Sequence, residues 1–143
     1  MTLVMNANEM NAFLDQGFPE VKEDFRIEQA TEEEIVLRLR VAARHLRPGG
    51  TVSGPSIFGL ADVTAYFVTL SRIGPRALAV TTNCSIDFMR KPAAGRDLLG
   101  HGRLLKLGKQ LSVSDVLVYS EGVDAPVARA SLTYAIPPQG VEV

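Results

Sequence analysis

The longest hydrophobic run in the chain predicts a buried helix. Between residues 57 and 70 nearly every side chain is apolar or small, and Asp62 is the one charge. Ser53 or Gly54 can cap the first turn, and Pro55 fits there because the N–H groups of that turn lack helical partners. A Gly-Pro pair ends the run. A helix that is apolar on every side is buried, and this one is shorter than the roughly 20 apolar residues that span a bilayer.

Alternating apolar and polar positions on both sides of that run predict six strands. The predicted strands cover residues 25–29, 35–41, 77–89, 97–107, 111–120 and 127–136. Turn residues separate them, and no linker or repeat interrupts the series. A single domain over residues 1–143 is expected, of the α+β class, with an antiparallel sheet wrapped around one long central helix.

The N-terminal helix and the longest predicted strand carry further expectations. Asn6 and Glu9 have the spacing of a capping box, so residues 1–17 are predicted to form a short helix that lies on the surface as a flap. In the strand at 77–89, the even positions are mostly apolar and are expected to face the core. The odd positions are small and polar, which allows a second subunit or a ligand to approach closely.

Composition excludes several classes of function. The chain has 143 residues, with 15 Lys and Arg against 16 Asp and Glu, and no basic run that would favour nucleic acid. Cys84 is the single cysteine, and no signal pattern precedes the first helix, so a cytoplasmic protein is the default. Two histidines, His45 and His101, leave little material for a metal site. No cofactor and no membrane are implied.

Asp62 is the main candidate for chemistry, because a charge on a buried helix requires partners or a function. Its neighbours at helical spacing are Phe58, Gly59, Ala65 and Tyr66, none of which is cationic. The structural alternative is an aspartate bonded to nearby backbone or to a strand. The residues alone leave both open.

The order of elements and the residues around Asp62 resemble the hot-dog fold, and specifically the acyl-CoA thioesterases of the phenylacetate-pathway branch. The family's pattern is His-Gly-Gly, a few apolar residues, and then a helical Asp or Glu. Residues 53–62 carry it as Ser-Gly-Pro-Ser-Ile-Phe-Gly-Leu-Ala-Asp. Residues 81–93 resemble the family's long central strand with its closing Pro-Ala turn, and residues 107–111 resemble its hairpin.

The resemblance implies roles for three residues. Asp62 matches the catalytic carboxylate, either a general base acting on water or a nucleophile. Gly54 matches the glycine whose N–H polarises the thioester carbonyl, which suits the partial positive charge of a helix N-terminus. Thr81 falls where such enzymes carry a hydroxyl that positions water. In the family these groups come from two subunits, so the resemblance implies a homodimer or homotetramer with the site at the interface.

Substrate contacts follow from the same resemblance. Arg90, Lys91 and Lys109 lie on turns where family members often contact the CoA phosphates, although each could equally be a solvated surface charge. Phe58 and Tyr66 flank Asp62 and could line an acyl pocket, or they could belong to the core.

Three residues depart from the family pattern. Ser53 replaces the His, Pro55 replaces the second Gly, and Arg47 stands where related enzymes often have an Asn. Pro55 removes one N–H but leaves that of Gly54. Arg47 could pair with Asp62 of a neighbouring subunit and weaken it as a base, or it could anchor an acidic acyl group.

Hydrolysis of an acyl-CoA thioester is the function that the sequence favours. The alternative is a hot-dog domain that binds an acyl-CoA or a related ligand without turning it over, which the three departures would suit. A hydratase would need a His close after Asp62, and a serine hydrolase would need a Gly-x-Ser-x-Gly elbow. The sequence has neither.

Overall fold

A computed structural model describes residues 2–138 of the chain. The elements are α1 (Ala7–Gly17), β1 (Phe25–Ala30), β2 (Ile35–Leu39), a short 3-10 turn (Ala43–His45), α2 (Gly54–Ile73), β3 (Val80–Phe88), β4 (Leu98–Leu107), β5 (Leu111–Ser120) and β6 (Ala128–Ala135). The strands form one antiparallel sheet in the order β1-β2-β4-β5-β6-β3. Helix α2 contacts the strands from β2 to β6, which confirms the predicted hot-dog arrangement.

Helix α2 begins and ends where the sequence predicts. The Ser53 hydroxyl accepts a hydrogen bond from the Ser56 N–H at 3.3 Å, and Pro55 lies in the first turn. At the other end Gly74 has a φ of 90°, a left-handed value that suits glycine, and its N–H donates to the Leu70 carbonyl. Most of the helix is fully buried, as its apolar composition requires.

Two glycines of β4 let α2 lie directly against the sheet. A Cβ atom on Gly100 would overlap the Thr64 hydroxyl oxygen, and one on Gly102 would lie 2.7 Å from carbon atoms of Thr64 and Val68. Real Cβ atoms do not approach so closely. The absence of side chains at these two positions therefore sets the depth at which the helix packs.

Helix α1 is docked on β1. The capping box of Asn6 and Glu9 is present, as predicted, with both hydrogen bonds under 3 Å. The Asn11 amide then accepts from the Ile27 N–H at 2.9 Å and donates to the Ile27 carbonyl at 3.1 Å. An ion pair between Asp15 and Arg26 joins the same two elements. The helix is thus held against β1 by specific bonds, and its role as a flap stays a prediction.

The prediction for the long strand is wrong in two respects. β3 begins at Val80 rather than at residue 77, and most of its even positions do not face the core. Val80 and Phe88 are 55% and 53% exposed, and Leu78 and Thr82 are exposed as well. Of the even positions, Cys84 and Ile86 are partly buried. The cause is an irregular register after Thr81 combined with an edge position, which no further strand of the described chain covers.

Candidate active site

Asp62 is held by two hydroxyl groups from the sheet. The Thr81 hydroxyl donates to Asp62 Oδ1 at 2.5 Å, and the Tyr134 hydroxyl lies 2.8 Å from the same oxygen. The Tyr134 hydroxyl also lies 2.9 Å from the Asp62 carbonyl oxygen. Both side-chain bonds therefore end on Oδ1, and no residue in the described range bonds Oδ2. One carboxylate oxygen is anchored, and the other is available.

The sheet register explains why the two hydroxyls meet. Thr81 on β3 is the cross-strand partner of Tyr134 on β6, so their side chains emerge together beneath Asp62 on α2. The structure thus brings together two of the predicted site residues, Asp62 and Thr81, through a direct bond. The water-positioning role of Thr81 stays a prediction. Tyr134, which is 72 residues from Asp62, is a third member of the group that the predicted site residues do not include. The available signal was the alternation of β6, which turns Tyr134 inward.

Burial keeps Tyr134 a neutral donor. The residue is 4% exposed, and this burial, together with the nearby Asp62 carboxylate, raises the pKa of the Tyr134 phenol well above its usual range. Burial first, and then the same carboxylate, also raises the pKa of the Cys84 thiol. No cationic side chain of residues 2–138 forms an ion pair with Asp62. Neutral hydroxyl groups, rather than opposite charge, hold the carboxylate.

A cavity of about 360 Å³ lies beside this group. Its polar end consists of Asp62, Thr81 and Tyr134, and the Tyr66 hydroxyl in its wall is bonded to the Ala77 carbonyl. The remaining lining residues are apolar: Leu14, Phe18, Val21, Val63, Phe67, Ala77, Ala79 and Val80. Tyr66 therefore belongs to the core and also borders the cavity, and its contact with an acyl group stays a prediction. Phe58 is half-buried and is not part of this lining.

The N-terminus of α2 keeps one free donor. The Ser56 N–H bonds the Ser53 hydroxyl, the Ile57 N–H bonds the Ser53 carbonyl, and Pro55 has no N–H. The Gly54 N–H has no acceptor among the described residues. The two departures from the family pattern in this turn, Ser53 and Pro55, therefore leave the Gly54 N–H available as the predicted oxyanion donor.

Within one chain, Gly54 and Asp62 lie far apart. They are separated by eight residues of helix, which corresponds to roughly 12 Å along the axis. A base and an oxyanion donor must both reach one carbonyl group, each at about 3 Å. The two residues of a single chain cannot do so.

The predicted cationic contacts lie at separate places on the surface. Arg47 is exposed in the loop before α2 and forms no ion pair with a described residue. Arg90 follows β3 and donates to the Pro126 carbonyl at 2.8 Å, with Lys91 exposed beside it. Lys109 is exposed in the hairpin between β4 and β5, at the opposite end of β3.

The outer face of the sheet has a cavity of its own, about 550 Å³ in volume. Its lining mixes acidic and basic side chains, including the Arg129–Asp87 ion pair, and holds none of the predicted site residues. Across residues 2–138, no cluster of three His, Cys, Asp or Glu side chains is placed to hold a metal ion. Neither helix in that range is long and apolar enough to cross a membrane.

Comparison with known proteins identifies the family. Residues 49–127 match the family model described as the thioesterase superfamily, and the match includes Gly54, Asp62 and Thr81. The chain belongs to the thioesterase superfamily. The family predicted from the sequence is therefore confirmed.

Individual members of the superfamily resemble most of the chain. A candidate thioesterase from Silicibacter sp. TM1040 is 56% identical, with 96% of each chain covered and a TM-score of 0.90. A candidate esterase of Pseudomonas aeruginosa is 31% identical over 79% of this chain and 83% of its own. The phenylacetic acid degradation protein PaaI from Thermus thermophilus, in a mutant form, is 25% identical, covers 83% of this chain and 99% of its own, and has a TM-score of 0.67.

Proposed function

We propose that the protein hydrolyses an acyl-CoA thioester, with Asp62 as the catalytic carboxylate. The observation that carries the proposal is the arrangement of that side chain. Oδ1 is fixed by Thr81 and Tyr134, while Oδ2 is unbonded at the polar end of an apolar cavity. An Oδ2 with no protein partner can accept a hydrogen bond from water in the cavity, as a general base requires. Membership of the thioesterase superfamily supports the same chemistry.

In the simplest mechanism, Asp62 Oδ2 accepts a proton from water as the water oxygen attacks the thioester carbon. The oxyanion that forms is stabilised by the Gly54 N–H of the partner subunit. The tetrahedral intermediate then collapses, the C–S bond breaks, and the CoA sulfur leaves with the proton held by Asp62. Thr81 and Tyr134 keep the carboxylate oriented throughout. Direct attack by Asp62 on the carbonyl carbon is the alternative, and it would form a mixed anhydride that water then cleaves.

The open edge of β3 allows two copies of the chain to pair and form a two-subunit site. The Met89 N–H bonds the Val127 carbonyl, so by the alternation of antiparallel pairs the backbone groups of Cys84, Ile86 and Phe88 point away from β6. A second copy can pair there about a two-fold axis near Ser85. That pairing brings the start of one β3 beside the end of the other. Because the Phe88 ring packs over Gly54, the partner's Gly54 would approach Thr81 and Asp62.

The same pairing favours CoA as the thiol part of the substrate. Lys109, in the hairpin between β4 and β5, lies at the end of the sheet where β3 begins, and Arg90 and Lys91 follow the end of β3. In an antiparallel dimer the two ends meet, so cations of both subunits would surround one nucleotide. Phosphate contacts of this kind act equally on the ground state and the transition state. Hydrolysis of an acyl-CoA should therefore have a lower KM than hydrolysis of the matching acyl-pantetheine, with a similar kcat.

Complementation between two inactive variants tests the proposal. Asp62→Asn keeps an oxygen that can accept both hydroxyl bonds, and we expect it to fold normally and lose about 10²-fold to 10⁴-fold in kcat. Gly54→Pro removes the free N–H at a helix position that tolerates proline, after a Ser53 that is already extended. We expect it to lose about 10²-fold to 10³-fold.

Refolding the two variants together should restore activity. In a random mixture half of the dimers are hybrids, and each hybrid has one site with an intact Asp62 and an intact Gly54 from different chains. About a quarter of wild-type activity is then expected for a two-subunit site. No recovery would show that each chain contains a complete site. If the wild type hydrolyses no acyl-CoA and Asp62→Asn is badly destabilised, the protein is a binding domain with a structural Asp62.

A further inference from the structure

The cavity beside Asp62 has a wall that the catalytic elements do not supply. Leu14, Phe18 and Val21 line it, and all three belong to α1 or to the turn that follows. The Tyr66 ring links this wall to the polar group, with its centroid 5.6 Å from that of Phe18 and 5.9 Å from that of Tyr134. An acyl chain whose carbonyl carbon is at the carboxylate would therefore extend toward this N-terminal wall.

The wall is ordered by specific contacts. The Phe18 N–H bonds the Leu14 carbonyl at 2.9 Å, and the Val21 N–H bonds the Phe18 carbonyl at 3.1 Å. Leu14 is 1% exposed, and α1 is anchored on β1 by the two bonds between Asn11 and Ile27. A wall held in this way has a fixed position, so it can limit the size of a ligand.

Phe18 occupies the central position in the wall. Its ring meets the Tyr66 ring edge to face, with centroids 5.6 Å apart. The Phe13 ring also contacts Phe18, with centroids 6.2 Å apart, and is not part of the cavity lining. Phe18 is the aromatic side chain through which the N-terminal segment reaches the cavity. Removing that ring would enlarge the cavity at this wall.

The lining also limits the chemistry of the acyl group. Among residues 2–138 of one chain, no Lys, Arg or His lines the cavity. A carboxylate at the far end of the acyl chain would have no cationic partner there and would lose its hydration. The part of the cavity that the N-terminal wall borders therefore favours an uncharged, apolar acyl group.

We propose that Phe18 sets the upper length limit of an uncharged acyl group, which makes the N-terminal segment the specificity element of the enzyme. This inference rests on the proposed thioesterase function. Val21 borders the same space, so a larger side chain there should shorten the limit, whereas loss of the Phe18 ring should extend it. The two substitutions thus have opposite expected effects.

A series of saturated acyl-CoA substrates from about four to about sixteen carbons tests the proposal, with kcat/KM measured for each. Phe18→Ala should raise the ratio of long-chain to short-chain kcat/KM by about 10-fold or more, since the fit of a few methylene groups is worth that much in an apolar pocket. Val21→Phe should lower the ratio. Tyr119→Ala is the control, because it removes a ring on the outer face of the sheet that is not part of this cavity, and its ratio should stay within about twofold of wild type.

Binding of non-hydrolysable acyl-CoA thioethers, measured by calorimetry on the same variants, separates this proposal from the hydrolytic one. If the wild type binds the thioethers but hydrolyses nothing, and Phe18→Ala still moves the preference to longer chains, the specificity role holds and the hydrolytic function fails. If hydrolysis is intact and neither Phe18→Ala nor Val21→Phe alters the chain-length profile, the specificity role is overturned. A dicarboxylic acyl-CoA hydrolysed as well as its uncharged counterpart would also overturn it.

Discussion

The two edges of the sheet are finished in different ways. At β1, the Asn11 side chain of the same chain bonds both backbone groups of Ile27, next to the point where the strand register shifts. At β3, the backbone groups that point outward have no strand of the described chain beside them. The exposed side chains there include Val80 and Phe88, both more than half exposed. The β1 edge is thus capped by a side chain of the same chain, and the β3 edge is left open.

This difference bears on how copies of the chain can assemble. A sheet with two open edges can pair head to tail and extend without limit. With β1 blocked, extension is left to β3, where two copies pair with each other and close the assembly. In the proposed dimer the open edge is also the functional one, because Thr81 belongs to it and Asp62 lies directly above.

The largest effect is expected from a charge placed at the open edge. Ser85→Glu would set two carboxylates near each other at the proposed two-fold axis. Juxtaposed like charges cost several kcal/mol at an interface, so the dimer Kd should rise by about 10²-fold or more. Hydrolytic activity at micromolar protein should fall in parallel. Light scattering and initial rates over a protein dilution series measure both.

Two controls accompany this variant. Gln29→Glu introduces the same charge at an exposed position of β1 and should leave mass and activity unchanged. A mixture of Ser85→Glu with Ser85→Lys should recover dimer and activity, because hybrid dimers pair opposite charges. A Ser85→Glu protein that stays dimeric and active would contradict the assignment of β3 as the interface.

A smaller effect is expected when Asp62 loses one of its two anchors. Tyr134→Phe removes the hydroxyl but keeps the ring, and a hydrogen bond to a charged group is worth about 1.5–3 kcal/mol. We expect kcat to fall by about 10-fold to 100-fold with little change in KM, because Tyr134 orients the carboxylate without closing the cavity. Tyr119→Phe on the outer face of the sheet is the control and should leave kcat unchanged. An unchanged kcat for Tyr134→Phe would show that Thr81 alone positions Asp62.

The smallest effect concerns the blocked edge. Asn11→Ala leaves the Ile27 N–H and carbonyl without their partner, and we expect a loss of about 1–3 kcal/mol in the free energy of unfolding. Asn8→Ala, at an exposed position of α1, should stay within about 0.5 kcal/mol of wild type. Urea denaturation measures both. Equal stability of the two variants would mean that α1 does not protect β1 through Asn11.

Most of the fold could be predicted because each element has a strong local signal. The cap at Ser53 and the stop at Gly74 define α2, and alternation marks the strands within a few residues. β2 ends at Leu39, earlier than its pattern predicts, because the Val41 N–H turns away to the Asp97 carboxylate. Only the three-dimensional structure reveals a hydrogen bond between residues that lie 56 positions apart in the sequence.

The candidate site could be predicted only where a residue has a local signal in the sequence. Asp62 is conspicuous as one charge on an apolar helix, and Gly54 stands beside the predicted cap. Tyr134 looks like any inward residue of a strand until the register of β3 and β6 sets it opposite Thr81. The alternating pattern of β3 predicts a core face, although Val80 and Phe88 are exposed at the sheet edge. A periodic pattern does not distinguish a buried face from an unpaired edge strand.

The glycine pair at positions 100 and 102 affects how sequence variation in this protein would be interpreted. Any side chain there would overlap Thr64 and push α2 away from the sheet, so we expect the hydrogen bonds from Thr81 and Tyr134 to Asp62 on the same helix to lengthen. If natural or random variants were scored by turnover alone, substitutions at both glycines would therefore lower activity as substitutions of catalytic residues do, although neither glycine is part of the candidate site. Thermal unfolding measured on the same variants would separate the two cases, because Gly100→Ala should melt at a lower temperature, whereas Asp62→Asn should not.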